Sequence, residues 1–102
     1  VNDYIDIDTD GEYVTMKAIN GAKLYYTVAG ASEKSMTQLE EPTFNSEHLE
    51  PRQKVVFSCY DFNKNANRGG LYLKVHAYKN GKLIAISYES HYMIHMIPGF
   101  YY

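Results

Sequence analysis

Leu71-Tyr-Leu-Lys-Val-His-Ala-Tyr-Lys-Asn-Gly-Lys-Leu-Ile-Ala-Ile-Ser-Tyr88 decides the fold. Two alternating runs flank Asn80-Gly81, a dipeptide suited to a two-residue type I′ hairpin turn because both residues must adopt positive φ. Such a turn predicts a register. Ala77 falls opposite Ile84, Val75 opposite Ile86 and Leu73 opposite Tyr88 on one side. Tyr78/Leu83, His76/Ala85, Lys74/Ser87 and Tyr72/Glu89 pair on the other. One face is apolar and the other mixed, as a half-buried antiparallel sheet requires.

Working outward, residues 4–8 alternate, Thr9-Asp10-Gly11-Glu12 reads as a turn, and residues 13–19 alternate again. Asn20-Gly21 is a second tight-turn signal, followed by a strand over 22–28. Residues 30–51 differ: Ser, Glu, Thr and Asn dominate, with Pro42 and Pro51 as breakers. Ser35-Met-Thr-Gln-Leu-Glu-Glu41 has room for one or two helical turns but no sustained 3.6 period. The segment reads as a long excursion over the sandwich edge. A further strand is expected over 54–62, separated from the hairpin by a polar loop at 63–70, and a last one over 90–97 after the hairpin. Pro98-Gly99 ends the last strand before the aromatic tail Phe100-Tyr-Tyr102. Turns every eight to ten residues and no long helix predict an all-β fold. The expectation is an antiparallel immunoglobulin-like β-sandwich of about seven strands, one domain over 1–102.

A chain of 102 residues suffices to bury roughly 65% of its unfolded surface in one core. The net charge of −2 provides no basic footprint and argues against nucleic acid as a partner. No apolar run approaches the ~20 residues of a membrane-spanning helix. Val1 opens the chain without a charged, then apolar, leader, so no signal peptide is expected, and a processed chain stays open. A single cysteine, Cys59, excludes an internal disulfide. Its apolar setting, Val55-Val-Phe-Ser-Cys-Tyr60, predicts a small buried hydrophobe. Eleven tyrosines and no tryptophan suit both strands and recognition surfaces, since Tyr offers a rigid face with a polar tip.

Two motifs point to metals. Asp6-Ile-Asp-Thr-Asp-Gly11 carries Asp6, Asp8 and Asp10 where the first half of a calcium loop has its carboxylates, with Gly11 at the bend. Lys17 stands where that loop needs a bidentate Glu, so calcium is a candidate against a plain Asp-Gly hairpin turn. In His91-Tyr-Met-Ile-His95, strand geometry sends His91, Met93 and His95 to one face, a soft set that suits Cu(I). His76 is near enough in the hairpin to join it. Recognisable catalytic sets do not occur: there is no G-x-S-x-G elbow, and Arg68-Gly69-Gly70 lacks the lysine of a phosphate loop. Glu40, Glu41, Glu47 and Glu50 lie in the polar excursion, where solvation is the expectation.

Lys23-Leu-Tyr-Tyr-Thr-Val-Ala-Gly-Ala-Ser32 resembles the apolar-Tyr-Tyr-Thr strand of fibronectin-III-associated or chitobiase C-terminal β-sandwich domains. Leu73-Lys-Val-His-Ala-Tyr-Lys-Asn-Gly-Lys82 and Ser87 resemble their closing Leu-Lys-x-x-Ala strand, Gly turn and Ser-containing strand. The resemblance spans about residues 13–88. Ala29 replaces the loop Asp, no Pro closely follows Ser32, and the connection to Lys54 is long for that family. It implies a non-catalytic accessory module, extracytoplasmic or at a cell surface, often in a carbohydrate-active protein.

Three functions compete on these residues. The first is a non-catalytic module that contacts a protein or polysaccharide surface, with Tyr72, Lys74, His76 and Tyr78 on the outer hairpin face as its binding residues. The second is a metal-handling domain, with calcium at Asp6, Asp8 and Asp10 or copper at His91, Met93 and His95. The third is a stand-alone inhibitor that docks through residues 100–102. An enzyme is the least supported class. The sequence leaves the ligand and the oligomeric state open.

Overall fold

In a computed structural model, residues 2–62 and 69–92 are described. Among the described residues, seven strands form two antiparallel sheets: β1 (Ile5–Thr9), β2 (Tyr13–Ala18), β3 (Lys23–Gly30), β4 (Glu47–Leu49), β5 (Lys54–Ser58), β6 (Gly70–Lys79) and β7 (Lys82–Tyr92). One sheet has the order β1-β2-β5 and the other β4-β3-β6-β7. The all-β sandwich expected from the sequence is therefore the fold. Alternation builds its core. Val14, Met16 and Ala18 from β2 meet Leu24 from β3 and Leu71, Leu73, Val75 and Ala77 from β6, and all of these are fully buried. Tyr26 and Phe57 add an edge-to-face ring pair across the sheets, with centroids 5.7 Å apart.

Positive φ at Asn20 (56°) and Gly21 (79°), and at Asn80 (52°) and Gly81 (75°), bears out both tight-turn signals. They do different jobs. Asn80-Gly81 closes the β6–β7 hairpin, whereas Asn20-Gly21 carries the chain from β2 in one sheet to β3 in the other. Beyond its first pairs the hairpin departs from the expected register. Lys79/Lys82 and Tyr78/Leu83 pair as the turn dictates, but Ala77 then meets Ala85, because Ile84 is bulged out. From there Val75 faces Ser87, Leu73 faces Glu89 and Leu71 faces His91. A single extra residue sends every later β7 side chain to the opposite face. Ile86 and Tyr88, expected inside, lie outside and about half exposed.

Two boundaries and the path of one segment also differ. β7 runs without interruption to Tyr92, so Ser90 belongs to the hairpin and not to a separate strand. The strand expected over 54–62 stops at Ser58, and Cys59–Phe62 make one helical turn that buries Cys59. The excursion after β3 crosses the outer face of the four-stranded sheet before supplying β4 at its edge. Of the loop expected over 63–70, Gly70 already belongs to β6, and residues 63–68, like the turn Pro98-Gly99 and the tail at 100–102, lie outside the described residues.

Gly70, at the start of β6, is held close to β7. A Cβ added there would stand 2.3 Å from the His91 carbonyl oxygen and 2.9 Å from the Tyr92 Cα. Gly70→Ala must therefore push the end of β7 away, an overpacking change expected to cost roughly 1–3 kcal/mol. Equilibrium urea unfolding of the variant beside the parent checks this.

Candidate functional site

β6 sends Tyr72, Lys74, His76 and Tyr78 to the outer face of its sheet, as alternation predicts. The structure brings them into one row but not into one open patch. Residues 39–44 form a strap across the row's middle. The buried Lys74 ammonium donates to the Leu39 carbonyl at 2.7 Å, and the Thr27 hydroxyl donates to the Glu40 carbonyl. Glu41 then reaches three outer-face groups. Its carboxylate lies 2.9 Å from His76 Nε2 and 3.6 Å from Lys74 Nζ, and it accepts from the Tyr88 hydroxyl. Lys74 Nζ also stands 5.1 Å from the centre of the Tyr88 ring.

A lysine this buried needs compensation for its lost hydration. The Leu39 carbonyl, the Glu41 carboxylate and the Tyr88 ring face together provide it. The Tyr88 hydroxyl, followed by His76 and Lys74, holds the Glu41 carboxyl below its ordinary range, and the same bond holds the Tyr88 phenol above its own. Glu41 was expected to be merely solvated. Its carboxylate is half exposed but fixes the strap. Tyr72, at the far end of the row, bonds through its hydroxyl to Tyr92, which raises the Tyr72 pKa.

Tyr78 belongs to a second feature nearer the Asn80-Gly81 turn. β3 sends Tyr25 outward beside it, with rings 5.7 Å apart and nearly perpendicular. Phe44, carried in by the strap, stands edge-on to Tyr25 at 5.3 Å and tilted against Tyr78 at 5.1 Å. These rings floor a groove of about 370 Å³ rimmed by Lys23, Glu50, Pro51 and Lys79. Lys23 Nζ lies 3.2 Å from Glu50 Oε1 and 5.2 Å from the Tyr25 ring centre. The Tyr25 side chain, then Glu50, holds the Lys23 pKa above its usual value.

Tyr25 and Phe44 escape a reading of the hairpin alone. Phe44 is the one Phe, Tyr or Trp among residues 31–56, and that isolation in a polar stretch beside Pro42 is the signal that marks it. Tyr25 needed knowledge that β3 neighbours β6, which no local pattern carries.

The calcium candidates separate. Asp6 and Asp8 lie exposed on β1, opposite Lys17 and Thr15. Asp10 Oδ1 accepts the backbone N–H of Tyr13 at 2.8 Å and of Glu12 at 3.0 Å, closing an Asx turn. Those two bonds, Tyr13 first, hold the Asp10 pKa low. Among the described residues no three His, Cys, Asp or Glu side chains converge to hold a metal ion. Of the copper candidates, His91 lies on the inner face of β7 with Nε2 3.3 Å from Glu89 Oε1. Met93 and His95 lie outside the described residues. Burial, followed by the negative charges of Asp10 and Glu12, pushes the Cys59 thiol pKa up, the opposite of what a reactive thiol requires.

No protein-family model, curated protein or solved structure matches this chain.

The strap's attachment is pH-dependent with a definite sign. Because the folded-state pKa of Glu41 is depressed, its stabilisation is present above the unfolded carboxylate range and is lost as pH falls through the folded value. Thermal melts between about pH 3 and pH 7 are expected to show a smaller acid loss of Tm in Glu41→Gln than in the parent. Parallel profiles would remove Glu41 as the strap's anchor.

Proposed function

We propose that this protein is a non-catalytic binding module that acts through surface contacts, with the Tyr25–Phe44–Tyr78 groove as its contact site. The observation that carries this reading is Phe44. Its ring is 70% exposed yet held against two other rings. A large apolar ring kept in water and already ordered loses little further freedom when a ligand covers it.

The ligand class that suits the groove is a polysaccharide. The face of a pyranose ring that carries axial hydrogens is apolar and packs flat on an aromatic side chain. Its equatorial hydroxyls point sideways, toward the positions that Lys23, Glu50 and Lys79 occupy on the rim. A few placed polar groups around an apolar floor are the usual composition of a ligand site. The neighbouring titratable groups support contact over catalysis, since Lys74, His76, Glu41 and Tyr88 bond to one another and hold the strap.

An immunoglobulin-like reading of the sandwich draws support from its strand order. Constant-type immunoglobulin domains put the first, second, fifth and fourth strands on one sheet and the third, sixth and seventh on the other. Here the partition is the same except that β4 sits beside β3. Together with the resemblance to chitobiase C-terminal domains, it favours an accessory module outside the cytoplasm or at a cell surface.

An NMR titration of the isotopically labelled chain with a panel of soluble oligosaccharides tests the reading. Shifts are expected at Lys23, Tyr25, Phe44 and Tyr78. Phe44→Ala is expected to weaken binding tenfold or more, about 1.4 kcal/mol, with little change in melting temperature because its ring is mostly exposed. Shifts confined to another surface, or none across the panel, would defeat the assignment.

A further inference from the structure

Charge on this sandwich is sorted by end. The Asn20-Gly21 corner, the Asn80-Gly81 turn and residues 50–54 meet at one end, with residues 2–4 beside them. There the Ala18 N–H donates to the Gln53 carbonyl at 3.0 Å and the Ile19 N–H to the Tyr4 carbonyl at 3.2 Å. That end holds Lys23, Arg52, Lys54, Lys79 and Lys82 against Asp3 and Glu50. Among the described residues at the other end, where β1, β3 and β5 stop, Asp8, Asp10, Glu12, Glu33 and Asp61 stand against Lys34. A net charge of −2 thus hides a basic end, and the Tyr25–Phe44–Tyr78 groove lies at it.

The two lysines on the groove's rim are held differently. Lys23 Nζ is paired with Glu50 at 3.2 Å, and His48 Nε2 lies 3.8 Å from the same carboxylate oxygen. Among the described residues no carboxylate pairs with Lys79. Its Nζ stands 5.8 Å from the centre of the Tyr4 ring. The end of its side chain lies along the Asn20-Gly21 corner, where a Cβ on Gly21 would touch Cε at 3.5 Å and Nζ at 3.8 Å. An ammonium has three donors, and a ring face supplies no oxygen for any of them.

We propose that the groove takes an acidic polysaccharide built of uronic acids, and that Lys79 is the residue that selects its carboxylate. The inference rests on the groove reading above and adds the ligand's charge to it. An equatorial carboxylate on C5 of a pyranose lies near the mean plane of the ring. A ring packed flat on the aromatic floor therefore aims that group sideways, at the rim. A carboxylate arriving at Lys79 makes a charge-assisted hydrogen bond, stronger than a neutral hydroxyl makes there. It breaks no existing ion pair to do so. Glu50, the carboxylate on the rim, is already answered by Lys23.

Exposure sets the size of the effect. An ion pair made in water is a modest one, so the carboxylate adds about fivefold to affinity and the stacked rings supply the rest. Both this pair and the wider attraction of a polyanion to the basic end are screened by salt. Selection for acid is therefore strongest at low ionic strength, whereas contact with the rings is nearly indifferent to it.

Matched hexasaccharides test this on the full chain by NMR titration: β-1,4-glucan beside β-1,4-glucuronan, and β-1,4-mannan beside β-1,4-mannuronan. In at least one pair the uronate is expected to bind about fivefold tighter than its neutral counterpart, with shifts at Lys79 and the groove rings. That gain should shrink below twofold in about 0.5 M salt, a readout that needs no variant. Lys79→Gln is expected to bring the uronate down to the neutral affinity and leave the neutral sugar unchanged. Lys34→Gln, at the acidic end, should alter neither. Neutral sugars that bind the groove as tightly as the uronates overturn the proposal and leave the groove reading standing. A groove silent to both uronates overturns it whatever the neutral sugars do, and silence to every sugar removes the groove reading with it. An oligonucleotide of equal charge that binds the groove as tightly also overturns it, since that is attraction to charge alone.

Discussion

Alternation along β6 is the constraint on which the rest of this structure depends. Its four inward residues, Leu71, Leu73, Val75 and Ala77, are fully buried, and a strand cannot turn one side chain without its neighbours. Filling the core with that set places Tyr72, Lys74, His76 and Tyr78 on the opposite face. A central strand with a lysine mid-row and tyrosines at both ends leaves two problems on one surface. The ammonium must find oxygen or return to water, and the rings must find partners or remain exposed. The strap solves the first at Leu39 and Glu41, and Phe44 joins Tyr25 and Tyr78 in the second.

The strap shows how a polar segment becomes ordered without a sheet or helix of useful length. Fixing its backbone costs about 1–2 kcal/mol per residue. Burial of Leu39 and Pro42 offsets part of that, and the remainder falls to hydrogen bonds that reach charged groups, the stronger kind. Lys74 is the centre of this arrangement, and truncating its partners would leave a buried charge uncompensated, a larger penalty than the pair's own worth. The Met36–Gln38 turn upstream contributes locally, with the Gln38 side chain accepting the Ser35 N–H at 2.9 Å.

Much of the fold was legible because its signals are local. Period-two runs mark β1, β2, β3 and β6, and positive φ at two Asn-Gly pairs follows from what those residues tolerate. What was not legible depends on contacts between distant residues. Nothing in Asn20-Gly21 distinguishes a hairpin from a corner between sheets, since both need the same dihedrals. The bulge at Ile84 is invisible for a different reason. The alternation of residues 84–92 puts Ile84, Ile86 and Tyr88 on one face and points to the register without a bulge, and the observed pairing reverses it through contacts that the local pattern does not carry. The site divides likewise. Outward placement of Tyr72, Lys74, His76 and Tyr78 follows from alternation, whereas the covering of Lys74 and the arrival of Phe44 depend on a 35-residue separation between strap and strand.

Tyr88 connects the two surfaces that the bulge and the strap create. Its ring lies on the outer stripe of β7, and its hydroxyl donates to Glu41, three residues before Phe44. Had the turn's register continued, Tyr88 would lie inside opposite Leu73, and Glu41 would face Lys74 and His76 alone. One inserted residue in an edge strand therefore does more than expose Ile86. It supplies the phenol that lowers the Glu41 pKa and the ring face that meets the Lys74 ammonium. The apolar stripe and the anchored strap are thus two consequences of a single irregularity. A change that removed the bulge would take Tyr88 from the outer face of β7 and from Glu41 together, leaving the strap held by Lys74, His76 and Thr27 alone.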